Sequence, residues 1–251
     1  MSSLKIKGFL LGLKDDLLDF VYPQTCPICG RPLGRNEKDV CDDCWNVLAV
    51  LPAPFCPYCK SIFEDHETLT GHLCPHLRKP EDRKIIAVRS LGTFDDHYQK
   101  LIHRLKYDGK IPLGRRLGQR LGEKVAQEKE WLEFDFVIPV PLHRARRRER
   151  GFNQSEILSQ GICQATEIPL LKDLLIRKKN TRDQTYLNAQ QRSENVRGAF
   201  AVKQREKIGG KNIILVDDVT TTGATLNECA RTVLEAGAEN VFAATLAVVV
   251  E

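Results

Sequence analysis

The amino-acid sequence predicts an α/β domain built on a parallel sheet, preceded by a small cysteine-rich module. The sheet is predicted by segments 134–140, 213–216 and 241–250, which are almost wholly apolar, as strands buried on both faces are. Stretches with apolar residues at helical spacing lie between them, and strands that alternate with helices indicate a parallel sheet. The module is predicted by the seven cysteines that fall between Cys26 and Cys74.

The length and charge of the chain set broad limits. A chain of 251 residues suits one α/β domain with a small module. The net charge of +5 fits anionic ligands of several kinds and does not by itself indicate a nucleic-acid partner. No secretory signal is evident, and no apolar run is long enough to span a bilayer. We therefore expect a cytoplasmic protein whose cysteines stay reduced.

The first predicted element is an amphipathic helix over residues 1–22. Its apolar residues recur at helical spacing and would form one face. They are Phe9, Leu10, Leu13, Leu17, Phe20 and Val21. We expect this face to pack on the protein, and docking on a membrane surface is the alternative.

Residues 23–80 are predicted to form a zinc-binding region. Cys26 and Cys29, then Cys41 and Cys44, stand as two CxxC pairs, a pattern typical of four-thiolate zinc. A closed site of four cysteines leaves no position open for substrate, so this zinc is predicted to be structural.

A second zinc site is predicted with less support from the pattern. Cys56 and Cys59 form a third CxxC pair, but Cys74 is the one further cysteine in the region. A fourth ligand must then be a histidine, and we assign His76, with His72 as the alternative. An arrangement in which the cysteine pairs interleave across two ions is a further alternative that spacing alone does not exclude.

The α/β domain is predicted over residues 84–251. From Lys84 onward, apolar runs and helical spacing alternate. The predicted order is a strand at 85–88, helices at 98–105 and 113–125, a strand at 134–140, a helix at 157–165, a loop at 177–197, a strand at 213–216, a helix at 226–234 and a strand at 241–250.

The strongest functional pattern is the segment 213–226. A buried strand ends in Asp217 and Asp218, and a turn of small residues then opens a helix. Backbone N–H groups and the helix dipole suit a phosphate at such a turn, and Gly223 allows close approach. A plain threonine-capped helix is the structural alternative. The absence of GxxxxGK[ST] disfavours ATP hydrolysis. The predicted phosphate-binding residues are Val219, Thr220, Thr221, Thr222, Gly223, Ala224 and Thr225.

A second cationic segment follows the strand at 134–140. Planar guanidinium groups suit diphosphate, and they equally suit single-stranded nucleic acid. A solvated basic loop is the plainer interpretation. The arginines of this predicted loop are Arg144, Arg146, Arg147, Arg148 and Arg150. Residues 177–200 are also basic and polar, and we interpret them either as a flap over the ligand or as an ordinary surface connection.

Residues 213–226 resemble the motif that binds phosphoribosyl diphosphate (PRPP) in type I phosphoribosyltransferases. The resemblance implies a type I phosphoribosyltransferase-like parallel sheet with helices on both faces. It implies that Asp217 and Asp218 are the catalytic acids and bind the ribose 2′- and 3′-hydroxyls, while residues 220–225 hold the 5′-phosphate. It also implies Mg²⁺, bound with PRPP between the diphosphate and ribose oxygens.

Together with further short motifs, this segment makes the chain similar to the ComF family. The motifs occur in the family's order over nearly the whole chain. They are residues 26–30, 56–59, 105–107, 140–142, 150–154, 184–185, 195–196 and 213–226. Leu77 departs from the family, because it stands where a last cysteine is often found. The resemblance implies a role in natural competence, with single-stranded DNA and proteins of the DNA-import machinery as partners.

Three functions are consistent with the sequence. The first is a PRPP-binding protein of the ComF type that handles imported single strands in the cytoplasm. The second is a housekeeping phosphoribosyltransferase, a glycosyltransferase that acts on a nucleobase or an amine. The third is a catalytically inactive DNA-binding module on the same fold. Release of diphosphate from PRPP would separate the second from the third.

Overall fold

The structure is a computed structural model that describes residues 24–34, 37–48, 50–77, 79, 82–128, 133–179 and 188–249. The helix predicted over residues 1–22 lies outside the described residues. The chain forms two compact units, residues 1–48 and residues 49–251. Among the described residues, no helix is both long and apolar enough to cross a membrane.

The described part of the first unit is organised around cysteines. Thr25 and Pro32 form an antiparallel bridge that closes the loop carrying Cys26 and Cys29. Helix α1 (Asp42–Asn46) follows, and the Cys41 sulfur accepts a hydrogen bond from the Cys44 amide at its start. This short helix therefore places Cys41 and Cys44 one turn apart.

The second unit contains the α/β domain, in which helices and strands alternate. In chain order they are α2 (His66–Thr70), β1 (Val88–Thr93), α3 (Asp96–Tyr107), α4 (Ile111–Gln127), β2 (Phe136–Pro139), α5 (Arg144–Arg150), α6 (Gln154–Thr166), β3 (Leu175–Arg177), α7 (Ala189–Val196), β4 (Phe200–Val202), β5 (Asn212–Thr220), α8 (Ala224–Leu234) and β6 (Asn240–Val248).

The main sheet confirms the predicted fold class. Its strands lie in the order β1-β6-β5-β2, and each neighbouring pair is parallel. Strand β5 lies between β6 and β2 and is almost fully buried from Ile213 to Val216. Because ligands of open α/β sheets bind beyond the carboxyl ends of the strands, we expect a ligand site at the end of β5.

Three predicted elements need correction. The strand expected at 85–88 begins only at Val88 and extends to Thr93. The arginine segment 144–150 is helix α5 rather than a loop, since His143 caps its first turn and Gly151, at φ 83°, ends it. Within the expected loop at 177–197, residues 189–196 form helix α7, which begins with a capping box between Asn188 and Gln191.

Helices α4 and α6 pack closely, and this contact fixes where α6 lies. A Cβ placed on Gly118 would lie 2.3 Å from the Leu158 carbonyl oxygen, and one on Gly161 would lie 2.4 Å from the Arg115 carbonyl oxygen. The backbones therefore touch through glycine. Helix α6 begins against the carboxyl end of β5 as a result, with Gln154 and Ser155 in contact with that end.

Candidate functional site

The site is built around Asp217 and Asp218 near the end of β5. The Ser155 hydroxyl donates to Asp217 Oδ1 at 3.0 Å, and the Asp218 amide donates to the same oxygen at 2.9 Å. Gln154 Nε2 donates to Asp218 Oδ1 at 3.1 Å. Both carboxyl groups are thus held in place by the first turn of α6.

Lys106, on α3, completes this cluster. Its ammonium group forms an ion pair with Asp218 Oδ2. The Asp218 side chain is 6% exposed and the Lys106 side chain 24%, so the pair is largely withdrawn from water. An ion pair so withdrawn is screened less than one at the surface.

The two aspartates differ in their protonation. Burial, followed by the negative charge of Asp218, raises the pKa of Asp217 to about 7. Burial also acts to raise the pKa of Asp218, but Lys106 and Gln154 outweigh it, and the pKa of Asp218 is lowered. The Asp218 charge likewise outweighs burial at Lys106 and raises the pKa of that ammonium. At neutral pH the cluster therefore holds one firm carboxylate and one carboxyl group close to its midpoint.

The segment after the acids, residues 219–225, is the stretch predicted to bind phosphate, and we refer to it as the phosphate loop. Val219 and Thr220 still belong to β5, residues 221–222 turn, and Gly223 is the N-cap of α8. Gly223 has φ 73°, a left-handed conformation that favours glycine. Gly223 has no side chain and makes no side-chain capping hydrogen bond at the start of α8. The start of a helix favours a bound anion, because its N–H groups and its dipole point outward there. Ala224 and Thr225 lie in the first turn of α8.

Of the segment 177–200, residues 177–179 and 188–200 are described, and they lie beside the phosphate loop. Strands β3 and β4, at the two ends of this segment, form an antiparallel pair. Arg192 Nη1 on α7 donates to the Thr221 hydroxyl at 3.1 Å, and the Gly198 amide donates to Glu228 of α8 at 2.6 Å. A cavity of about 1050 Å³ opens between α7 and α8. Among the residues that line it are Lys84, Lys179, Glu194, Thr222, Asn227 and Arg231.

The five predicted arginines of α5 do not act as one group. Arg150 is joined to the acids indirectly, because its Nη1 donates to Gln154 Oε1 at 2.5 Å. Arg147 instead pairs with Glu156 at 3.0 Å. Arg144 and Arg148 are exposed, and Arg146 is partly buried. Helix α5 therefore directs Arg150 toward the site, while Arg144 and Arg148 are exposed to solvent.

The first cysteine cluster fits a structural zinc. The sulfur atoms of Cys26, Cys29, Cys41 and Cys44 all lie within 4.8 Å of one another. The Cys29 and Cys41 sulfurs are 3.7 Å apart. Thiolates on a tetrahedral zinc with bonds of about 2.3 Å would be separated by about 3.8 Å.

The second cluster has a different histidine from the one predicted. Cys56, Cys59 and Cys74 gather with His72, whose Nε2 lies 3.3 Å from the Cys59 sulfur. The ring of His76 is engaged elsewhere, with Nδ1 3.0 Å from the Tyr58 carbonyl oxygen. His72 therefore replaces His76 as the fourth ligand of a three-cysteine, one-histidine site, a donor set that suits zinc.

Comparisons with known proteins find matches for both the zinc-binding region and the α/β domain. A family model described as double zinc ribbon domain matches residues 17–79, and one described as phosphoribosyl transferase domain matches residues 149–249. The DNA utilization protein YhgH of Escherichia coli O6:H1 is 30% identical over 223 residues, which cover 87% of this chain and 94% of that protein. The chain belongs to the ComF/YhgH family.

Other ComF/YhgH relatives cover similar spans. Competence protein F of Haemophilus influenzae is 29% identical over 220 residues, 86% of this chain and 93% of that protein. Competence protein ComFC of Bacillus subtilis is 29% identical over 240 residues, 86% of this chain and 91% of that protein. A solved structure of glutamine PRPP amidotransferase from B. subtilis matches 53% of this chain and 26% of its own, with 25% identity and a TM-score of 0.37.

The structure adds to the candidate site three residues to which the sequence alone assigns no role. Lys106, Gln154 and Ser155 contact the two acids directly. Lys106 and Gln154 lay within motifs at 105–107 and 150–154 that carried the resemblance. The signal in the sequence was that these motifs carry polar residues next to apolar helix faces. Only the fold shows that those residues meet at the two acids.

Proposed function

We propose that this chain binds PRPP with Mg²⁺ and serves in the cytoplasmic handling of single-stranded DNA during natural competence. The relatives supply the second half of this proposal through their names, competence protein and DNA utilization protein. The first half rests on the site itself.

The observation that carries the PRPP proposal is that two acids near the end of β5 are followed by a short turn and the start of helix α8. Asp217 and Asp218 offer carboxylate oxygens to the ribose hydroxyls, and charge-assisted hydrogen bonds of this kind are strong. Helix α8 begins just after Gly223, and the dipole at a helix start favours the 5′-phosphate there. Lys106 pairs with Asp218 and Arg150 bonds to Gln154, and cations so close to the acids favour the diphosphate.

Phosphoribosyl transfer is a second candidate, and the protonation of Asp217 favours it. In that reaction a nitrogen nucleophile bonds to the anomeric carbon, diphosphate leaves, and the nucleophile loses a proton. A carboxyl group with a pKa of about 7 is suited to exchange a proton at neutral pH. Release of diphosphate from PRPP, assayed with a library of nucleobases and amines, tests this candidate.

The DNA part of the proposal draws on helix α5. Arg144 and Arg148 are exposed and lie on the same short helix as Arg150, which reaches the site through Gln154. Cations beside a nucleotide-type site suit the backbone of a single strand. Proteins of the import machinery are the further partners that this role requires.

The deciding experiment is a calorimetric titration with Mg²⁺ and PRPP, with and without single-stranded DNA. The double variant Asp217→Asn, Asp218→Asn keeps the shape of both side chains and removes both charges. We expect its PRPP affinity to fall about 100-fold or more, since each hydrogen bond to a charged group contributes about 1.5–3 kcal/mol. Glu206→Gln, an exposed acid outside the site, is the matched control. Unchanged affinity in a folded double variant would refute the proposal.

A further inference from the structure

An exposed pair of aromatic rings lies at the rim of the acidic cluster. Tyr107 is 68% exposed, an unusual state for so large a ring. Its ring centroid is 4.7 Å from that of His103, one turn earlier on α3, with the planes tilted by 42°. The Arg150 guanidinium carbon lies 5.7 Å from the same tyrosine ring. Three flat groups are thus presented together.

Two contacts tie this group to the site. Lys106, the residue before Tyr107, is ion-paired with Asp218. Arg150 donates to Gln154, and Gln154 donates to Asp218. Tyr107 therefore follows directly on Lys106, which contacts Asp218. It is also linked to Asp218 through Arg150 and Gln154.

The fold does not require an aromatic ring at position 107. Helix α3 packs on the domain through Tyr98, Leu101, Ile102 and Leu105, which are buried. Tyr107 lies off that face at the end of the helix. Isolated exposed rings are common, but a ring flanked by histidine and arginine beside a cationic helix is the combination that unpaired bases use for stacking.

We propose that Tyr107, His103 and Arg150 form a stacking platform for an unpaired nucleobase of a single-stranded nucleic acid. The phosphates of the strand would then follow the exposed arginines of α5, which ends at Arg150. The proposal rests on the nucleic-acid role given above and names where on this chain a base is held. A duplex does not fit, because its bases offer no free face.

Stacking and charge can be separated by experiment. Binding of a short fluorescent oligothymidylate and of an abasic strand of equal length is measured by anisotropy over a range of salt concentrations. Tyr107→Ala should weaken oligothymidylate binding about tenfold, since a stacked base contributes about 1–3 kcal/mol, and should leave the abasic strand unaffected. Tyr107→Phe keeps the ring and should bind as the unmodified protein does.

The salt dependence supplies the internal control. Loss of a ring leaves the slope of log affinity against log salt unchanged. Arg148→Ala should reduce that slope by about 0.7, as loss of one phosphate contact on a single strand does. The PRPP affinity of Tyr107→Ala, measured by calorimetry, should equal that of the unmodified protein.

The results distinguish failure of the stacking platform from failure of the nucleic-acid role as a whole. Equal binding of oligothymidylate by Tyr107→Ala and the unmodified protein would overturn the platform alone. Equal loss of oligothymidylate and abasic binding in Tyr107→Ala would also overturn it, because the ring would not be reading a base. If the unmodified protein binds no single strand, the platform and the nucleic-acid role fail together, while the PRPP titration stands separately.

Discussion

The two carboxyl groups near the end of β5 have different neighbours. Asp218 faces a cation, Lys106, and an amide donor, Gln154, which favour its ionised form. Asp217 receives neutral donors, the Ser155 hydroxyl and the Asp218 amide, and lies beside the negative charge of Asp218. Adjacent residues in the sequence thus acquire opposite shifts in pKa, because burial dominates at Asp217 while Lys106 on α3 and Gln154 on α6 outweigh it at Asp218.

This difference predicts how stability depends on pH. The pKa of Asp217 is about 7 in the fold against 3.8 ordinarily, so the folded state holds a proton that the unfolded state has lost between these values. Its contribution to stability is present below pH 3.8 and is lost as pH rises through about 7. The slope is at most about 1.4 kcal/mol per pH unit, the value for one whole proton.

Chemical denaturation at pH 5 and pH 8, at constant zinc, measures this effect. We expect Asp217→Asn to lose less stability between the two pH values than the unmodified protein, because its amide does not titrate. Asp218, whose pKa is lowered, titrates below pH 3.8 and does not contribute in this range. Equal losses in the two proteins would show that Asp217 is ionised throughout.

At the residue scale, the sequence predicts what is local. Gly223 is placed correctly at the start of a helix, because turn and helix are consecutive, whereas Asp217 and Asp218 lie within β5, which continues to Thr220. Lys106 could not be assigned, since only the packing of α3 on the sheet brings it to Asp218. The choice between His72 and His76 failed for the same reason, because the fold of the loop decides which ring reaches Cys59.

At the element scale, the contact between α4 and α6 depends on small residues. The leucines of α4 repeat every four residues and predict the helix, and a glycine follows each of the first three. Gly114, Gly118 and Gly122 thus form a strip on which α6 lies. The leucine pattern predicts α4, but which partner covers the glycines depends on long-range packing.

A methyl group at this contact should be strongly destabilising. In Gly118→Ala the new Cβ would meet the Leu158 backbone, which cannot move without displacing α6. We expect a loss of at least about 2 kcal/mol in unfolding free energy. Gly209→Ala is the matched control, because a Cβ there meets nothing within 4 Å. Similar thermal midpoints for the two variants would mean that α4 and α6 are farther apart than described.

The short helices α5 and α7 show where pattern reasoning stops. Neither has an apolar stripe, because one is almost wholly charged and the other mostly polar. Their ends are set by local caps, from His143 to Gly151 and at Asn188 with Gln191. Caps of this kind are visible in the sequence, but alone they do not distinguish a helix from a turn.

At the scale of the whole molecule, the two metal clusters belong to different units. The first lies within residues 1–48, and the second lies within residues 49–251 together with the phosphate loop. Tyr58 stands between Cys56 and Cys59, and its hydroxyl donates to Asn227 Oδ1 at 3.0 Å and accepts from the Lys84 amide at 3.0 Å. Asn227 lies in α8, whose first turn is the proposed phosphate site.

This arrangement predicts that loss of the two zinc ions has different consequences for PRPP. Cys26→Ser should remove one zinc and destabilise its own unit, because a structural zinc contributes folding free energy, while PRPP affinity is unchanged. Cys56→Ser should remove the other zinc and weaken PRPP binding about five- to 150-fold, the usual range for coupled sites, since Tyr58 no longer holds Asn227. Zinc content by elemental analysis and PRPP affinity by calorimetry are measured on each variant.

The control is Tyr58→Phe, which keeps both zinc ions and removes only the hydroxyl, and it should also lower the PRPP affinity. Unchanged PRPP affinity in Tyr58→Phe, and in a Cys56→Ser variant that has lost its zinc, would contradict this prediction. The second cluster would then stabilise only its own loop, and the contact between Tyr58 and α8 would not affect PRPP binding.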